Sequence, residues 1–155
     1  MAQIPDSVAD FLSGRRLVVA GVSRDSRQPA NAIFRRLRDS GHEVIPVNPN
    51  ARHVEGVTCY ETLSAVPGPV YGVVIATHPK VSAAIVQQCG ERGIPRVWFH
   101  RSFGQGSVSD EALRLCRELG LSYIVGGCPM MYCDPVDIAH RCMKWWLHLQ
   151  RRIPQ

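Results

Sequence analysis

The segment Gly21-Val22-Ser23-Arg24-Asp25-Ser26-Arg27-Gln28-Pro29 has the residue types and spacing of a turn that grips phosphate. It follows the apolar run Leu17-Val18-Val19-Ala20 and opens a helical pattern. A helix start presents unpaired N–H groups and the positive end of the helix dipole, and small residues before it let backbone approach an anion closely. Gly21, Ser23 and Ser26 hold the spacings of a G-x-G-x-x-G dinucleotide turn, with serine at two of the three glycine positions. The segment therefore predicts a nucleotide-type ligand without specifying a dinucleotide, and the alternative is that Gly21 only makes a tight strand-to-helix turn.

Further candidate groups fall where other apolar runs end. Asn48-Pro49-Asn50-Ala51-Arg52-His53 follows the strand expected at 42–47, and Thr77-His78-Pro79-Lys80 follows the one at 70–76. His100-Arg101-Ser102-Phe103-Gly104 follows the strand at 95–99. A NAD site would carry an acidic residue about 20 positions past the turn to hold the ribose hydroxyls, and Asn48 stands there instead. With Arg24, Arg27, Arg52 and His53 available, a ligand bearing an extra phosphate is favoured, because guanidinium groups pair well with phosphate oxygens. Coenzyme A and NADP both meet that description.

His78 and His100 could transfer protons near neutral pH, but neither has an acid or nucleophile recognisable beside it in sequence. His78, next to Pro79, has a second reading as a helix cap. Cys128, Cys133, His140, Cys142 and His148 lie close together near the end of the chain. They contain no C-x-x-C pair, and residues two apart on a helix do not share a face, so no metal is expected. Cys128 is read as a buried thiol, with a reactive thiol as the alternative.

These groups need a scaffold, and the pattern supplies one. Helices are expected at 6–14, 29–40, 60–65, 79–92, 107–119 and 134–150, and strands at 16–21, 42–47, 70–76, 95–99 and 121–125. Ile33, Phe34 and Leu37 share one face of the second helix, opposite Arg35, Arg36 and Asp39. Val70-Tyr71-Gly72-Val73-Val74-Ile75 is nearly continuous in apolar character, as parallel strands covered on both faces are. The expected fold is a doubly wound α/β domain, a parallel five-stranded sheet with an added C-terminal helix, spanning 1–155 as a single unit. Ligands of such sheets sit beyond the carboxyl ends of the strands, where the winding reverses.

The last helix is expected to start with Asp134 as cap, Pro135 at its first position and Asp137 in its first turn. Ile138, Cys142, Trp145 and Leu149 form one apolar stripe, and Ala139, Met143 and Trp146 a second. Two apolar faces predict packing on the sheet plus a partner, by default a homodimer; the alternative is that both tryptophans close the domain's own core.

Composition narrows the class. The chain has 155 residues, a net charge of +5 and six cysteines scattered through the helical and strand patterns, which reads as free thiols in a reducing compartment. No apolar run approaches membrane-spanning length and Met1-Ala2-Gln3-Ile4-Pro5-Asp6 does not resemble a signal peptide, so no membrane partner and a cytoplasmic location are expected. The basic clusters, including Arg141, Lys144, Arg151 and Arg152, are not interleaved with aromatics, and no nucleic-acid partner is expected.

Val18-Val19-Ala20-Gly21-Val22-Ser23, Val44-Ile45-Pro46-Val47-Asn48-Pro49, Cys59-Tyr60 with Leu63, Val97-Trp98-Phe99 and Cys128-Pro129 occur in this order. In that order they resemble the small stand-alone CoA-binding proteins, which are themselves similar to the CoA-binding domain of the succinyl-CoA synthetase α chain. The resemblance covers about residues 10–130, and Val-Ile-Pro-Val-Asn-Pro is its most specific string. It implies a Rossmann-like domain binding coenzyme A or an acyl-CoA, with phosphate held by Gly21, Val22, Ser23 and Arg24 and by Arg27, Gln28 and Asn31 beside them. It implies adenosine bordered by Val47, Asn48 and Pro49, and pantetheine lined by Thr77, His78 and Pro79. The chain departs from the family at His100–Gly104 and beyond Cys133. A ligase would need further domains, so a non-catalytic binding or regulatory role is expected, against an NADP-dependent or other nucleotide-using enzyme, or an interaction module that has lost its ligand.

Overall fold

A computed structural model describes residues 4–101, 104–133 and 138–150. Helix α1 (Asp6–Ser13) leads into β1 (Arg16–Ala20), followed by α2 (Pro29–Asp39) and β2 (Glu43–Val47). A small hairpin, β3 (His53–Val54) and β4 (Val57–Thr58), precedes a 3-10 turn at Leu63–Ala65. Then come β5 (Gly72–Ile75), α3 (Pro79–Glu91), β6 (Arg96–Phe99), α4 (Asp110–Glu118), β7 (Ser122–Val125), a second 3-10 turn (Pro129–Met131) and α5 (Ile138–Leu149).

The main sheet is wholly parallel in the order β2-β1-β5-β6-β7. After β1 the chain winds outward to β2 and then returns to the other side of β1, so the winding reverses between β1 and β5. This is the expected five-stranded, doubly wound Rossmann-like fold with a C-terminal helix.

Side-chain alternation along the strands divides the core. Leu17 and Val19 face Phe11, Ile33, Phe34 and Leu37 from α1 and α2, whereas Val18 and Ala20 face Val86 and Cys89 of α3 with Ala112 and Cys116 of α4. Trp98 is fully buried on the first side, edge-on to Phe11 with ring centroids 5.4 Å apart, and its Nε1 donates to the Gly126 carbonyl at 3.1 Å. None of the six cysteines is in a disulfide, and burial raises the Cys89 thiol to about 12 and the Cys116 thiol to about 11.

Two expectations need correction. The helix at 60–65 is only a 3-10 turn at Leu63–Ala65, capped by the Thr62 hydroxyl, because Val66 and the following Pro67-Gly68-Pro69 return the chain to an extended path. The β3–β4 hairpin was not expected. For α5 it is the alternative reading that fails: Leu147 is inside and Met143 packs against the core, while Trp145 is 66 % exposed, Leu149 62 % and Trp146 43 %. Neither tryptophan closes the core. The start expected at Asp134, Pro135 and Asp137, together with Ser102, Phe103, Arg151 and Arg152, lies outside the described residues, as do the side chains of Ile138 and His148.

Candidate functional site

At the reversal point β1 ends and Gly21 turns the chain with φ +104°, a conformation that side chains disfavour. A Cβ there would lie 2.6 Å from the Ala76 carbonyl oxygen at the end of β5. The Gly21 N–H donates to the Val47 carbonyl at 2.9 Å, so the turn is wedged between the ends of β2 and β5. Glycine is required here by both backbone conformation and space.

Two asparagines fix the rest of the turn. Asn31, 1 % exposed on α2, accepts from the Ser23 N–H at 2.8 Å and donates to the Ser23 carbonyl at 2.7 Å. Asn48 donates to the Val22 carbonyl at 2.8 Å and accepts from the Asn50 N–H at 2.9 Å, which joins the turn to the loop after β2. Farther along, the Ser23 hydroxyl accepts from the Asp25 N–H at 3.1 Å, and Asp25 accepts from the Arg27 N–H and its side chain. The Arg27 guanidinium holds the Asp25 carboxyl below the usual carboxylate range. Arg24 and Arg27 are both exposed.

Helix α2 begins at Pro29 with Gln28 as its cap residue and makes no side-chain cap hydrogen bond. By contrast, His78 Nδ1 accepts from the Lys80 N–H at the start of α3, and the Ser109 hydroxyl accepts from the Ala112 N–H at the start of α4. Of these three helix starts, only α2 opens onto a cavity without a side-chain acceptor. The cavity measures about 450 Å³ and is lined by Gly21, Ser23, Gln28, Pro29 and Ala30 on the turn side and by Ala76, His100, Gly106 and Ser107 opposite. A second cavity of about 380 Å³ extends toward α3. Val47, Pro49, Leu63, Val81 and Ile85 give it apolar walls, and Asn50, Glu61, Thr62 and Gln88 add polar groups.

Gly21, Asn48 and Thr77 line both cavities, which are therefore two halves of one cleft across the reversal point. Thr77 Oγ1 at that junction is buried without a hydrogen-bond partner. His100 belongs to the turn-side half; burial, and secondarily the charge of His140 on α5, lower its pKa to about 4, so the imidazole is neutral at pH 7. The His100 carbonyl accepts from the Ser107 N–H, and the Ser107 hydroxyl donates to the Ile75 carbonyl at 2.7 Å, tying Ser107 to the ends of β5 and β6.

The structure thus brings Gly21, Ser23, Gln28, Asn48 and Thr77 to one half of the cleft and Val47 and Pro49 to the other. Val22 is buried under the turn, and Asn31 spends its amide on holding Ser23. Arg24 and Arg27 stand outside the lining, as do His78 and Pro79 at the start of α3. Sequence reasoning missed Gly106 and Ser107 and the wall made by Glu61, Thr62, Val81, Ile85 and Gln88. His100 was legible from its place after a strand. Gln88 carries no such signal, because it lies inside a helix and turns inward to accept from the Leu63 N–H at 2.9 Å. Among the described residues no three metal-ligating groups come together.

Residues 15–134 match the family model described as a CoA binding domain. The chain belongs to the CoA-binding domain family. The matched span runs from β1 through the second 3-10 turn and leaves α5 outside it. One relative of this domain is an uncharacterised protein of Bacillus subtilis, 25 % identical over 84 % of this chain and 88 % of its own length. Another is the alpha subunit of an ADP-forming acetate–CoA ligase of Pyrococcus furiosus, 30 % identical over 70 % of this chain; the match spans only 24 % of that subunit. Among solved structures, a hypothetical protein from Pyrococcus furiosus superposes with a TM-score of 0.67 at 31 % identity, covering 74 % of this chain and 96 % of that one.

Proposed function

We propose that this domain binds coenzyme A or an acyl-CoA across the cleft between β1 and β5, as a binding or regulatory protein without chemistry of its own. The observation that carries the reading is the uncapped start of α2, which opens onto the cleft at the Gly21 turn where the two halves meet. Pro29 has no N–H and the Asn31 N–H donates to the Gln28 carbonyl, so this start offers a pyrophosphate the Ala30 N–H and the positive dipole end. The apolar half against Val47, Asn48 and Pro49 suits adenosine, with polar atoms of Asn50, Thr62 and Gln88 in reach of ribose and base edges. The half ending at neutral His100 suits the uncharged pantetheine arm, and Thr77 Oγ1 at the junction gains from the ligand the partner it lacks. Arg24 and Arg52 are exposed and follow lining segments closely in sequence, so they supply positive charge for the phosphates, whereas Arg27 is paired with Asp25.

A purely binding role is supported by the lining itself. Its titratable side chains are His100 and Glu61, which lie in opposite halves of the cleft. Any ligase chemistry would then come from a partner chain, and the exposed Trp145 and Leu149 on α5 support self-association as a homodimer in the cytoplasm. Among the described residues no helix is long and apolar enough to cross a membrane.

Calorimetric titration with CoA, dephospho-CoA, NAD and NADP tests the ligand. CoA is expected to bind tightest, with dephospho-CoA weaker and Arg24→Ala weakening CoA by several-fold. Binding of NADP alone would replace this reading with an oxidoreductase, and no binding by any ligand would remove it.

A further inference from the structure

We infer that Glu55, at the tip of the β3–β4 hairpin, is a positioning residue that holds the phosphate-binding turn in its ligand-ready shape. The inference rests on the proposed binding of CoA at that turn. Its basis is a chain of hydrogen bonds that begins outside the cleft. Arg35 on α2 donates to Glu55 Oε1 at 2.6 Å and also to the Ser26 carbonyl, and the Asn31 amide nitrogen donates to the same Glu55 oxygen at 2.8 Å. The Glu55 side chain is 11 % exposed, so the carboxylate is nearly buried with a guanidinium and an amide as its donors.

Chemistry gives this contact a direction. A carboxylate can only accept, so it fixes which end of the Asn31 amide is the NH2. That orientation leaves Asn31 Oδ1 for the Ser23 N–H and lets the amide nitrogen also reach the Ser23 carbonyl. Ser23 in turn lines the cleft beside Gly21. With its peptide groups held by Asn31, the turn is kept from collapsing onto the open start of α2.

The hairpin backbone supports the same assignment. Glu55 has φ +50° and Gly56 φ +78°, the pair of left-handed residues that a two-residue primed turn requires. Asparagine, aspartate or glycine suits the first of those positions, and glutamate is disfavoured there. Glu55 is the only non-glycine residue with positive φ among the described residues. The turn alone would be better served by Asn-Gly; what glutamate adds is the reach to Asn31 and Arg35. A local departure from turn chemistry whose side chain ends on the binding turn points to function rather than to hairpin stability.

Glu55→Asn and Glu55→Gln separate the two roles. Asparagine preserves the turn but is one methylene too short to reach Asn31, whereas glutamine keeps the length and an acceptor oxygen. Titrating CoA by calorimetry, Glu55→Asn is expected to bind at least tenfold more weakly than the wild type, while its thermal midpoint stays within a few degrees. Glu55→Gln is expected to return to within about threefold. Adenosine, which lacks the pyrophosphate, is expected to give the same chemical-shift titration in wild type and Glu55→Asn. Unchanged CoA affinity in Glu55→Asn, or equal losses in the asparagine and glutamine variants, would overturn the role of Glu55 alone. Failure of the wild-type protein to bind CoA would overturn the ligand reading, and this inference with it.

Discussion

At the scale of single residues, the cleft depends on a few positions where only one side chain fits. Gly21 meets two constraints at once, φ +104° and 2.6 Å from a would-be Cβ to the Ala76 oxygen. Gly21→Ala is therefore expected to destabilise the fold by about 3 kcal/mol, measured by denaturant unfolding, and to abolish CoA binding. His100 carries a pH dependence with a definite sign. Its folded pKa of about 4 lies below the ordinary 6.5, so the unfolded chain takes up the proton more readily. The stability from keeping His100 neutral is complete above pH 6.5 and is lost as pH falls toward 4, amounting to about 3 kcal/mol at the end of that range. Unfolding midpoints across this window should flatten in His100→Gln; an unchanged slope would assign the effect to other groups. Gly21, Ser23 and Asn48 were legible in the sequence because they follow strands at the spacing of a phosphate turn. Glu55 was not, since its contact to Asn31 joins residues 24 positions apart and no local pattern announces it.

At the scale of elements, strands and helices that bury a full face were readable, and the shortest elements were not. The runs at β1 and β5 are covered on both sides, so their apolar continuity was a direct record of their place in the sheet. The β3–β4 strands have two residues each, too few to show a period, and are set by the Glu55-Gly56 turn instead. In α5, apolar residues occur on both faces, and periodicity alone cannot say which face meets the core. The structure assigns the inner face to Leu147, 1 % exposed, and Met143. Leu147→Ala is accordingly expected to cost about 2–4 kcal/mol, and Trp145→Ala less than about 0.5 kcal/mol, in paired denaturant titrations. Equal costs would mean that Trp145 is covered in the folded protein.

At the scale of the whole molecule, charge sets opposite salt dependences for its two expected associations. The net charge is +5, and the CoA phosphates are anionic, so CoA binding is expected to weaken as salt screens the attraction. Self-association through α5 should respond the other way. From Ile138 to Gln155 the chain contains Arg141, Lys144, Arg151 and Arg152 and no acidic residue. Two copies meeting through the exposed Trp145 and Leu149 would bring together the exposed Arg141 side chains, one helical turn away, so salt would relieve a repulsion while leaving the apolar contact intact. Sedimentation velocity at about 50 mM and about 500 mM salt is expected to show the dimer fraction rising with salt, where the screening length falls from over 10 Å to a few Å. Trp145→Ser should remove the dimer at both salts without altering CoA affinity, because the helix lies outside both halves of the cleft. A monomer under every condition would overturn self-association and leave Trp145 and Leu149 as solvent-exposed side chains.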